Sequence, residues 1–590
     1  MDRKCKHALP MSRPERIPGA KFFLGQLLLR PLPLGPLPLA AVPLAAVLLS
    51  AMLTLCGDYP ASAQYIPTHI SHEGICLFLD ELASEGVIDL YSPVKPYSRE
   101  AIAGKLQEAE GKRDVLSGRQ QSELDFYLKD YGKESNRSKQ PAVSWLWQKN
   151  HGKKRFDMFY YSDSLFRITV NPIVGGDVWV NGNGTFYHWW NGVEAWSSVG
   201  KFSFWGSLRD NHESVELTAR NFQNQRIGAS NLKIFAGGKR DYWECRGGVS
   251  YAWKWGHAGL LTEQFSWGEH NAGASIFSGR TPAFPRLEVV LKPANWFRFT
   301  WIHGFLVSEV VDSTLSFYVE TSDGMEYRRV YHPKYLAANM FTFIPLKGLQ
   351  LSVGNSVVYD HRWPQPAFMI PVAFYKAIDH TLNAGINNMN SQLFFSVSSR
   401  NLRHFHFYGT AFIDELQVGR IFEKDEYNPI SYKAGMASTL ILNTRFVIEY
   451  TWTNSLTFMH RMVTTTFESN RYNLGHYLED NAKDLYIALE YRPLRSVLIR
   501  GYFNRSVKGP DYTALGVWEA GPAVAPFEPI VWQSNRAGLL ATMQVVHDLY
   551  LRVGYEWRDV SGEQEYMDGW TPAVYHGRTG TLRIGLNYGF

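Results

Sequence analysis

The sequence is poor in cysteine and contains none of the common hydrolytic or nucleotide-binding motifs. Its 590 residues include only four cysteines, with no C-x-x-C pair or other metal-ligand spacing, so we expect neither a metal nor a cofactor. Gly-x-Ser-x-Gly, His-Glu-x-x-His and Walker sequences are absent, which predicts a protein that is not an enzyme. For Cys76 and Cys245 the sequence leaves two alternatives, a disulfide or two free thiols.

The chain also lacks a basic excess once its amino terminus is set aside. The formal net charge is +5, from 60 basic and 55 acidic residues, but seven of the basic and three of the acidic residues precede Gln64. Residues 64–590 therefore carry a formal charge of +1. We predict from this balance that the protein does not bind nucleic acid.

The amino terminus has the layout of a secretory signal peptide. Basic residues precede an apolar run that ends at Cys56, and a small-residue cleavage site follows at 61–63. We therefore predict a signal peptide over residues 1–63. A membrane anchor is disfavoured because the run is short and contains Pro43, and a lipoprotein signal is disfavoured because Leu55 is bulky.

From residue 146 to the end, apolar and polar residues alternate with period two, as in Phe446–Trp452, Leu485–Tyr491 and Leu549–Trp557. Runs of about nine to eleven residues suit strands that cross a bilayer, whereas strands of soluble sandwiches usually have about five or six. Aromatic residues make up 15% of the chain, and barrels place them in girdles at both membrane interfaces. We predict a mainly β fold, a large antiparallel transmembrane β-barrel of about 16 to 20 strands over residues 146–590.

The last strand shows which face of the predicted barrel meets lipid. The apolar face, which we assign to lipid, carries Leu582, Ile584, Leu586 and Tyr588. Arg583 and Asn587 lie on the other face, which we assign to the lumen. The terminal Phe590 is expected at the periplasmic rim. A strand with this ending resembles the signal that the barrel-assembly machinery reads, so we expect that machinery as a partner and the cell outer membrane as the location.

The predicted connections alternate between tight turns and long loops. Turns are predicted at Val546–Asp548 and Tyr491–Leu494, and long loops at 414–433, 468–484 and 505–535. Short periplasmic turns and long external loops are the layout of outer-membrane barrels, and an even strand number follows from it.

Residues 64–145 are predicted to form a periplasmic helical bundle of unassigned role. Apolar residues recur at helical spacing from Ile75 to Leu82. A second helix is expected to begin at Ser98, and a third has Ser117 followed three residues later by Gln120, the spacing of a capping box.

Two segments carry a resemblance to a known family. The first contains Trp267-Gly268, then a small residue and an aliphatic before Ser278, then Arg280-x-Pro282 and finally Pro285. The second is Gly354–Asp360, with tyrosine five residues after glycine. Together with the helical region ahead of a large barrel, these segments resemble the capsule assembly Wzi family.

The resemblance implies an 18-stranded, lectin-like barrel of Gram-negative bacteria that binds or anchors capsular or surface polysaccharide. It also implies that the motif residues form part of a plug, namely Trp267, Gly268, Arg280, Pro282 and Pro285. Aromatic and planar polar residues in or beside the long loops are our polysaccharide-binding candidates: Tyr472, His476, Tyr477, Trp518, Trp532 and Arg536. The alternative is that these aromatics only pack the loops together.

Two other functions stay open at this point. One is an outer-membrane porin or substrate-specific channel, and the other is an outer-membrane hydrolase. We expect a monomer in contact with outer-membrane lipid.

Overall fold

The computed structural model describes residues 64–135, 142–145, 155–220, 228–229, 233–322, 324–382, 386, 388–421, 427–512 and 527–589. The predicted signal peptide, Trp518 and Phe590 lie outside the described residues, so the contact of Phe590 with the assembly machinery stays a prediction.

Eighteen strands form the barrel: β1 Phe166–Asn181, β2 Gly184–Val199, β3 Phe202–Glu213, β4 Arg240–Trp253, β5 Gly256–Thr262, β6 Pro285–Ala294, β7 Phe297–Leu306, β8 Lys334–Leu346, β9 Leu349–Tyr359, β10 Met389–Ser399, β11 Phe405–Ile413, β12 Ile430–Ser438, β13 Thr444–Thr453, β14 Ala482–Leu494, β15 Val497–Lys508, β16 Trp532–Gln544, β17 Leu549–Gly562 and β18 Gly577–Tyr588. Each strand pairs antiparallel with the next, and β18 closes the wall against β1 from Leu582 opposite Val180 to Tyr588 opposite Val174. The predicted fold is confirmed, with 18 strands.

Shorter strands lie outside this wall: Ala142–Trp145, Phe159–Ser162 and Lys233–Ile234 at its edges, and the pairs Val94–Lys95 with Ser266–Trp267, Phe317–Thr321 with Gly324–Arg328, and Glu468–Ser469 with Tyr472–Asn473. The α-helices are α1 Glu73–Ser84, α2 Arg99–Glu110, α3 Gly118–Ser135, α4 Tyr375–Leu382 and α5 Gln564–Trp570. Among the described helices, none is both long and apolar enough to cross a bilayer.

The two ends of the barrel differ in the length of their connections. At the end where β18 finishes, the turn end, every connection has two to five residues, including the predicted turn before Leu549. At the opposite loop end, only the β1–β2 connection is that short. The predicted loops are there, at 414–429, 454–481 and 509–531. The first and third are shorter than expected because the adjoining strands extend further, whereas the second is longer because β13 already ends at Thr453.

The faces of β18 are as predicted. Leu582, Ile584 and Leu586 are exposed on the outer wall, while Asn587 is buried inside. Arg583 reaches across the lumen face to Asp177 on β1, with Nη2 3.0 Å from Oδ2. The closed wall with its apolar exterior is the architecture that outer-membrane proteins use, because no backbone edge meets lipid.

The three amino-terminal helices begin as the sequence predicts. The Ser98 hydroxyl accepts a hydrogen bond from the Ala101 amide at the start of α2. Before α3, the Ser117 amide donates to Gln120 Oε1 over 2.9 Å and the Gln120 amide donates to Ser117 Oγ over 3.3 Å, which is the predicted capping box. Cys76 on α1 and Cys245 on the outer face of β4 are both free thiols.

These helices dock on the turn end of the barrel. His547 in the β16–β17 turn stacks on Phe126 with ring centroids 3.8 Å apart. The Arg119 Nε donates to Asn443 in the β12–β13 turn over 2.8 Å. The Arg492 guanidinium at the end of β14 lies 3.1 Å from a Glu123 carboxylate oxygen. An aromatic stack, a hydrogen bond and an ion pair therefore join α3 to two turns and to the end of β14.

A second charged cluster joins α2 and α3 to the segment that leads into the barrel. Arg155 Nη1 lies 3.1 Å from Asp130 and 2.7 Å from Asp548, and Arg99 lies 2.7 Å from the same Asp130. Burial alone would raise the pKa of Asp130, but Arg99, Arg155 and Lys133 outweigh it and hold that pKa well below its usual range. The carboxylate is therefore ionised at neutral pH and ties the helices to the wall.

We expect Arg492→Met to weaken the docking of the helices by about 3–5 kcal/mol, because it removes one of the two arginines that balance the buried Glu81 and Glu123 carboxylates. Burial already raises the pKa of Glu123 although Arg492 opposes it. A carboxyl whose folded pKa is raised loses stability as pH rises, so the effect should be larger at pH 8 than at pH 5. Proteinase K cleavage of residues 73–135 across a urea series, with the barrel intact, measures the change.

Arg113→Met is the matched control, because Arg113 pairs with Asp125 on the exposed surface of the helices. It should leave the cleavage midpoint unchanged. Equal midpoints for the two variants would contradict a docking role for Arg492.

Candidate functional site

The lumen holds a polar cavity of about 690 Å³. Its floor is formed by α1, through Glu73, Cys76, Leu77 and Asp80. One side is the loop between β5 and β6, and the rest is the lumen face of β1–β4 and β14–β18. The cavity therefore lies above the helices that occupy the turn end.

The β5–β6 connection, residues 263–284, does not extend outward; we call it the inward loop. Its Trp267 is almost fully buried, with its ring centroid 5.0 Å from Phe277 and 6.1 Å from Phe394 of β10. These side chains pack on lumen-facing residues of β7–β11, including Ile302 and Met340. One half of the lumen is thus filled by an apolar core that contains Trp267.

Two glycines of the family motif region let the inward loop turn sharply. Gly268 has φ 89° and Gly279 has φ 72°, a conformation that side chains disfavour. A Cβ on Gly279 would lie 2.7 Å from Ile70 and 3.0 Å from the Phe265 carbonyl oxygen. The turn and the close approach both need glycine there.

Charged groups on the wall hold the inward loop in place. The Glu449 carboxylate of β13 accepts hydrogen bonds from the Asn271 amide over 2.7 Å and the Ala272 amide over 3.1 Å. Lys433 of β12 balances that carboxylate at 2.6 Å. A buried charge is costly without such partners. The Glu449 carboxylate therefore stabilises this conformation of the inward loop, and the loop amides stabilise the buried carboxylate.

The other plug residues predicted by the motif are also buried or constrained. Arg280 donates to the Ala219 carbonyl oxygen over 3.2 Å, and burial lowers its pKa to about 10. Pro282 is buried within the loop, and Pro285 is the first residue of β6. Pro285 is exposed, so it lies outside the packed part of the loop. A plug role for the five motif residues stays a prediction.

Arginines form the opposite wall of the cavity, which we call the arginine wall: Arg500 on β15, Arg536 on β16, Arg552 and Arg558 on β17, and Arg583 on β18. They alternate with residues that face lipid, such as Leu551 and Val553. Arg552 and Arg558 are six residues apart, which is about 20 Å along a strand. The wall therefore extends over much of the lumen height.

The arginines differ in their partners. Arg500 lies 2.8 Å from Glu490 and Arg558 lies 2.7 Å from Glu556. Arg536 instead donates to the amide oxygen of Asn504 over 2.6 Å.

Arg536 and Arg558 are also register partners on neighbouring strands. Like charges directly opposite each other in a sheet are destabilising. Proteins often accept a loss of stability of this kind at a functional site. Two neighbouring guanidinium groups are suited to binding an anion.

The whole lining is cationic and rich in tyrosine. Five carboxylates line the cavity, against Lys95 and six arginines that include Arg209 on β3. Tyr486, Tyr502 and Tyr242 also contribute. His270 of the inward loop is neutral, because burial and the nearby Lys95 lower its pKa to about 4. The described residues include no cluster of His, Cys, Asp and Glu that could hold a metal ion.

A serine–histidine pair lies behind the inward loop. Ser398 Oγ and His406 Nε2 are 2.8 Å apart. Arg400 donates to His406 Nδ1 over 3.1 Å, and since arginine only donates, Nδ1 accepts and Nε2 carries the hydrogen. His406 therefore donates to Ser398, which is the opposite of what an activated serine nucleophile needs.

The predicted polysaccharide-binding residues separate into two groups. Tyr477 and Arg536 line the cavity. Tyr472, His476 and Trp532 are buried among loop residues, where the Tyr472 hydroxyl donates to the Thr218 carbonyl oxygen and the Trp532 indole donates to Thr571 over 3.1 Å. Packing of the loops is their role in the described structure, and glycan binding by any of the six stays a prediction.

The sequence indicated part of the arginine wall. Arg536 was a binding candidate and Arg583 was assigned to the lumen, but Arg500 and Arg558 were not singled out. The available signal was an arginine opposite the apolar face on each of the last four strands.

No protein-family model and no curated protein matches the chain. Among solved structures, Wzi of Escherichia coli, an outer-membrane protein involved in group 1 capsule assembly and a carbohydrate-binding β-barrel, has TM-score 0.53 and 12% identity, over 90% of this chain and 100% of that chain. OccD3 (OpdP) of Pseudomonas aeruginosa has TM-score 0.39 and 12% identity, over 76% of this chain and 92% of that one. OpdK of P. aeruginosa, solved with vanillate, has TM-score 0.38 and 8% identity, over 71% and 98%.

The likeness to Wzi confirms the predicted resemblance at the level of the fold. With the apolar exterior of the closed wall, it also confirms the predicted location in the outer membrane.

We expect Trp267→Ala to loosen the inward loop, because removing a fully packed indole costs about 3–5 kcal/mol. Amide hydrogen exchange over residues 264–280 should become about 100-fold faster. Trp296→Ala is the control, since Trp296 is exposed on the β6–β7 turn. Unchanged exchange in Trp267→Ala would contradict the plug role.

Proposed function

We propose that the protein binds an acidic polysaccharide of the cell surface in its lumen and holds it there without chemical turnover, as a step in capsule or surface assembly. The observation that carries the proposal is the arginine wall above a floor of helices. Guanidinium groups present planar sets of N–H donors that match carboxylates, and tyrosine rings stack on sugar C–H faces. The fold shared with a carbohydrate-binding barrel, Wzi, is the second support.

The helices below the cavity support the proposal that the protein retains the polysaccharide instead of letting it pass through the lumen. α1 lines the floor of the cavity, and contacts to two turns and to the end of β14 hold the helices in place. A chain that enters from the loop end would therefore meet the arginines before the helices. The direction of the Ser398–His406 hydrogen bond supports a role other than hydrolysis.

A substrate-specific channel for small anions is the second candidate function. The size and the cationic lining of the cavity favour it, since such a channel needs the same residues.

The first test removes positive charge from the arginine wall. We expect Arg536→Gln with Arg552→Gln to weaken binding of an acidic capsular oligosaccharide by about 10- to 100-fold, because a hydrogen bond to a charged group contributes about 1.5–3 kcal/mol. Isothermal titration with the purified protein measures the loss, and a neutral oligosaccharide should show little change.

Arg578→Gln is the matched control, because it removes the same charge from a side chain that is 81% exposed outside the cavity. It should bind like the wild type. If the double variant also binds like the wild type, or retains the capsule on cells equally well, the lumen is not the polysaccharide site.

Conductance distinguishes the two candidate functions. In planar bilayers we expect the wild-type protein to give no large steady currents, because the helices and the inward loop occupy the lumen. Large currents that are blocked by small carboxylates would support the channel and contradict retention.

A further inference from the structure

The loop between β9 and β10 lies against the outside of the barrel. Its helix α4 and the short 3-10 helix Pro366–Met369 cover outward-facing residues of β7–β10. Tyr375 of α4 is fully buried, and its hydroxyl accepts a hydrogen bond from the Trp301 indole over 2.9 Å. Phe368 packs between Tyr359 and Tyr375. We call residues 360–382 the strap.

The wall beneath the strap is polar where lipid would otherwise touch it. Asn339 and Asn355 are register partners on β8 and β9 and share a hydrogen bond of 2.6 Å. They point outward, because they alternate with Met340 and Gly354, which face the core inside the lumen. Both asparagines are buried in this structure.

The strap satisfies these asparagines with its own backbone. Asn339 Nδ2 donates to the carbonyl oxygens of Pro371 and Ala373, each over 2.8 Å. Asn355 Oδ1 accepts from the Tyr375 amide over 2.7 Å. The asparagines and the strap backbone thus satisfy each other's hydrogen-bonding groups. The contact is therefore a specific interface.

The strap lies at membrane height. At the turn end, the exposed Trp296 ring is stacked with the Phe343 ring, and their centroids are 6.5 Å apart. Such pairs are typical of the aromatic girdle at a membrane interface. Asn339 is four residues further along β8, about 14 Å along the strand and about 10 Å along the axis of a barrel tilted by about 45°. The apolar band of such barrels is about 25 Å tall, so the asparagines fall inside it.

The exposed side chains of Ile370, Val372 and Phe374 form an apolar stretch of the strap that continues the lipid-facing wall, and the exposed Arg362 and His380 lie outside this stretch. Val372 is 66% exposed and Phe374 is 52% exposed. The neighbouring wall residues Leu351 and Val353 are exposed in the same way. An irregular segment is tolerated at this depth only where its backbone is paired, and the asparagines supply that pairing.

We propose that the strap is embedded in the outer membrane and that its outer surface contacts the acyl chains of the bilayer. The β9–β10 connection is then part of the lipid interface and not an external loop that receives glycan. This inference is independent of the lumen site and uses only the barrel's place in the membrane.

The test places a single cysteine at Val372→Cys in a protein whose four native cysteines are replaced by serine. Two matched controls carry Val353→Cys, on the lipid-facing wall, and Leu315→Cys, exposed in the β7–β8 loop. In proteoliposomes, a water-soluble maleimide should label position 372 as slowly as position 353 and at least 10-fold more slowly than position 315. Ile370→Cys, at a second exposed position of the strap, replaces Val372→Cys if that variant fails to fold.

A fluorophore at position 372, quenched by nitroxide attached to lipid acyl chains, identifies what covers the strap. Quenching equal to that at position 353 supports the proposal. Labelling as fast as at position 315 overturns it, because the strap is then in water. Slow labelling without quenching also overturns it, because a protein surface then covers the strap.

Discussion

The pairing of β18 with β1 is the constraint on which the rest of the structure depends. Hydrocarbon offers no hydrogen-bond partner, so every backbone group of the wall must be paired within it. The register from Leu582 opposite Val180 to Tyr588 opposite Val174 pairs the last free edge. Once the sheet is closed, its faces are no longer equivalent: one meets lipid, and the other encloses a space that side chains, loops and water must fill.

The enclosed space is filled in two chemically different ways. On the β7–β11 side, the inward loop brings Trp267 and Phe277 onto apolar lumen residues and builds a conventional core. On the β14–β18 side, arginines and tyrosines leave a solvated cavity. The buried Glu449 carboxylate that holds the inward loop is balanced by Lys433, whereas the basic side chains that line the cavity outnumber its carboxylates. The side with the excess of positive charge is the one that we assign to ligand.

Prediction succeeded where a residue's environment depends on neighbours close in sequence. The capping box of Ser117 and Gln120 and the two faces of β18 follow from local hydrogen bonding and from the pleat, so periodicity was sufficient. Periodicity did not predict the environments of loop residues. Tyr472 and Trp532 are of residue types common in glycan-binding sites, but both are buried by segments distant in sequence. The position of α4 was not predicted either, because it depends on contacts with Asn339 and Asn355 of neighbouring strands.

The sequence by itself determined the barrel, its lipid face and the three helices. Each of these depends on side-chain periodicity or on a contact within a few residues. Tertiary structure alone decided that the arginines of four strands form one wall, that the helices lie beneath it, and that one long loop folds outward against the barrel while another folds into the lumen. Both loops are rich in apolar and small residues, and only the partners that closure provides, Phe394 inside and Asn339 outside, distinguish their directions.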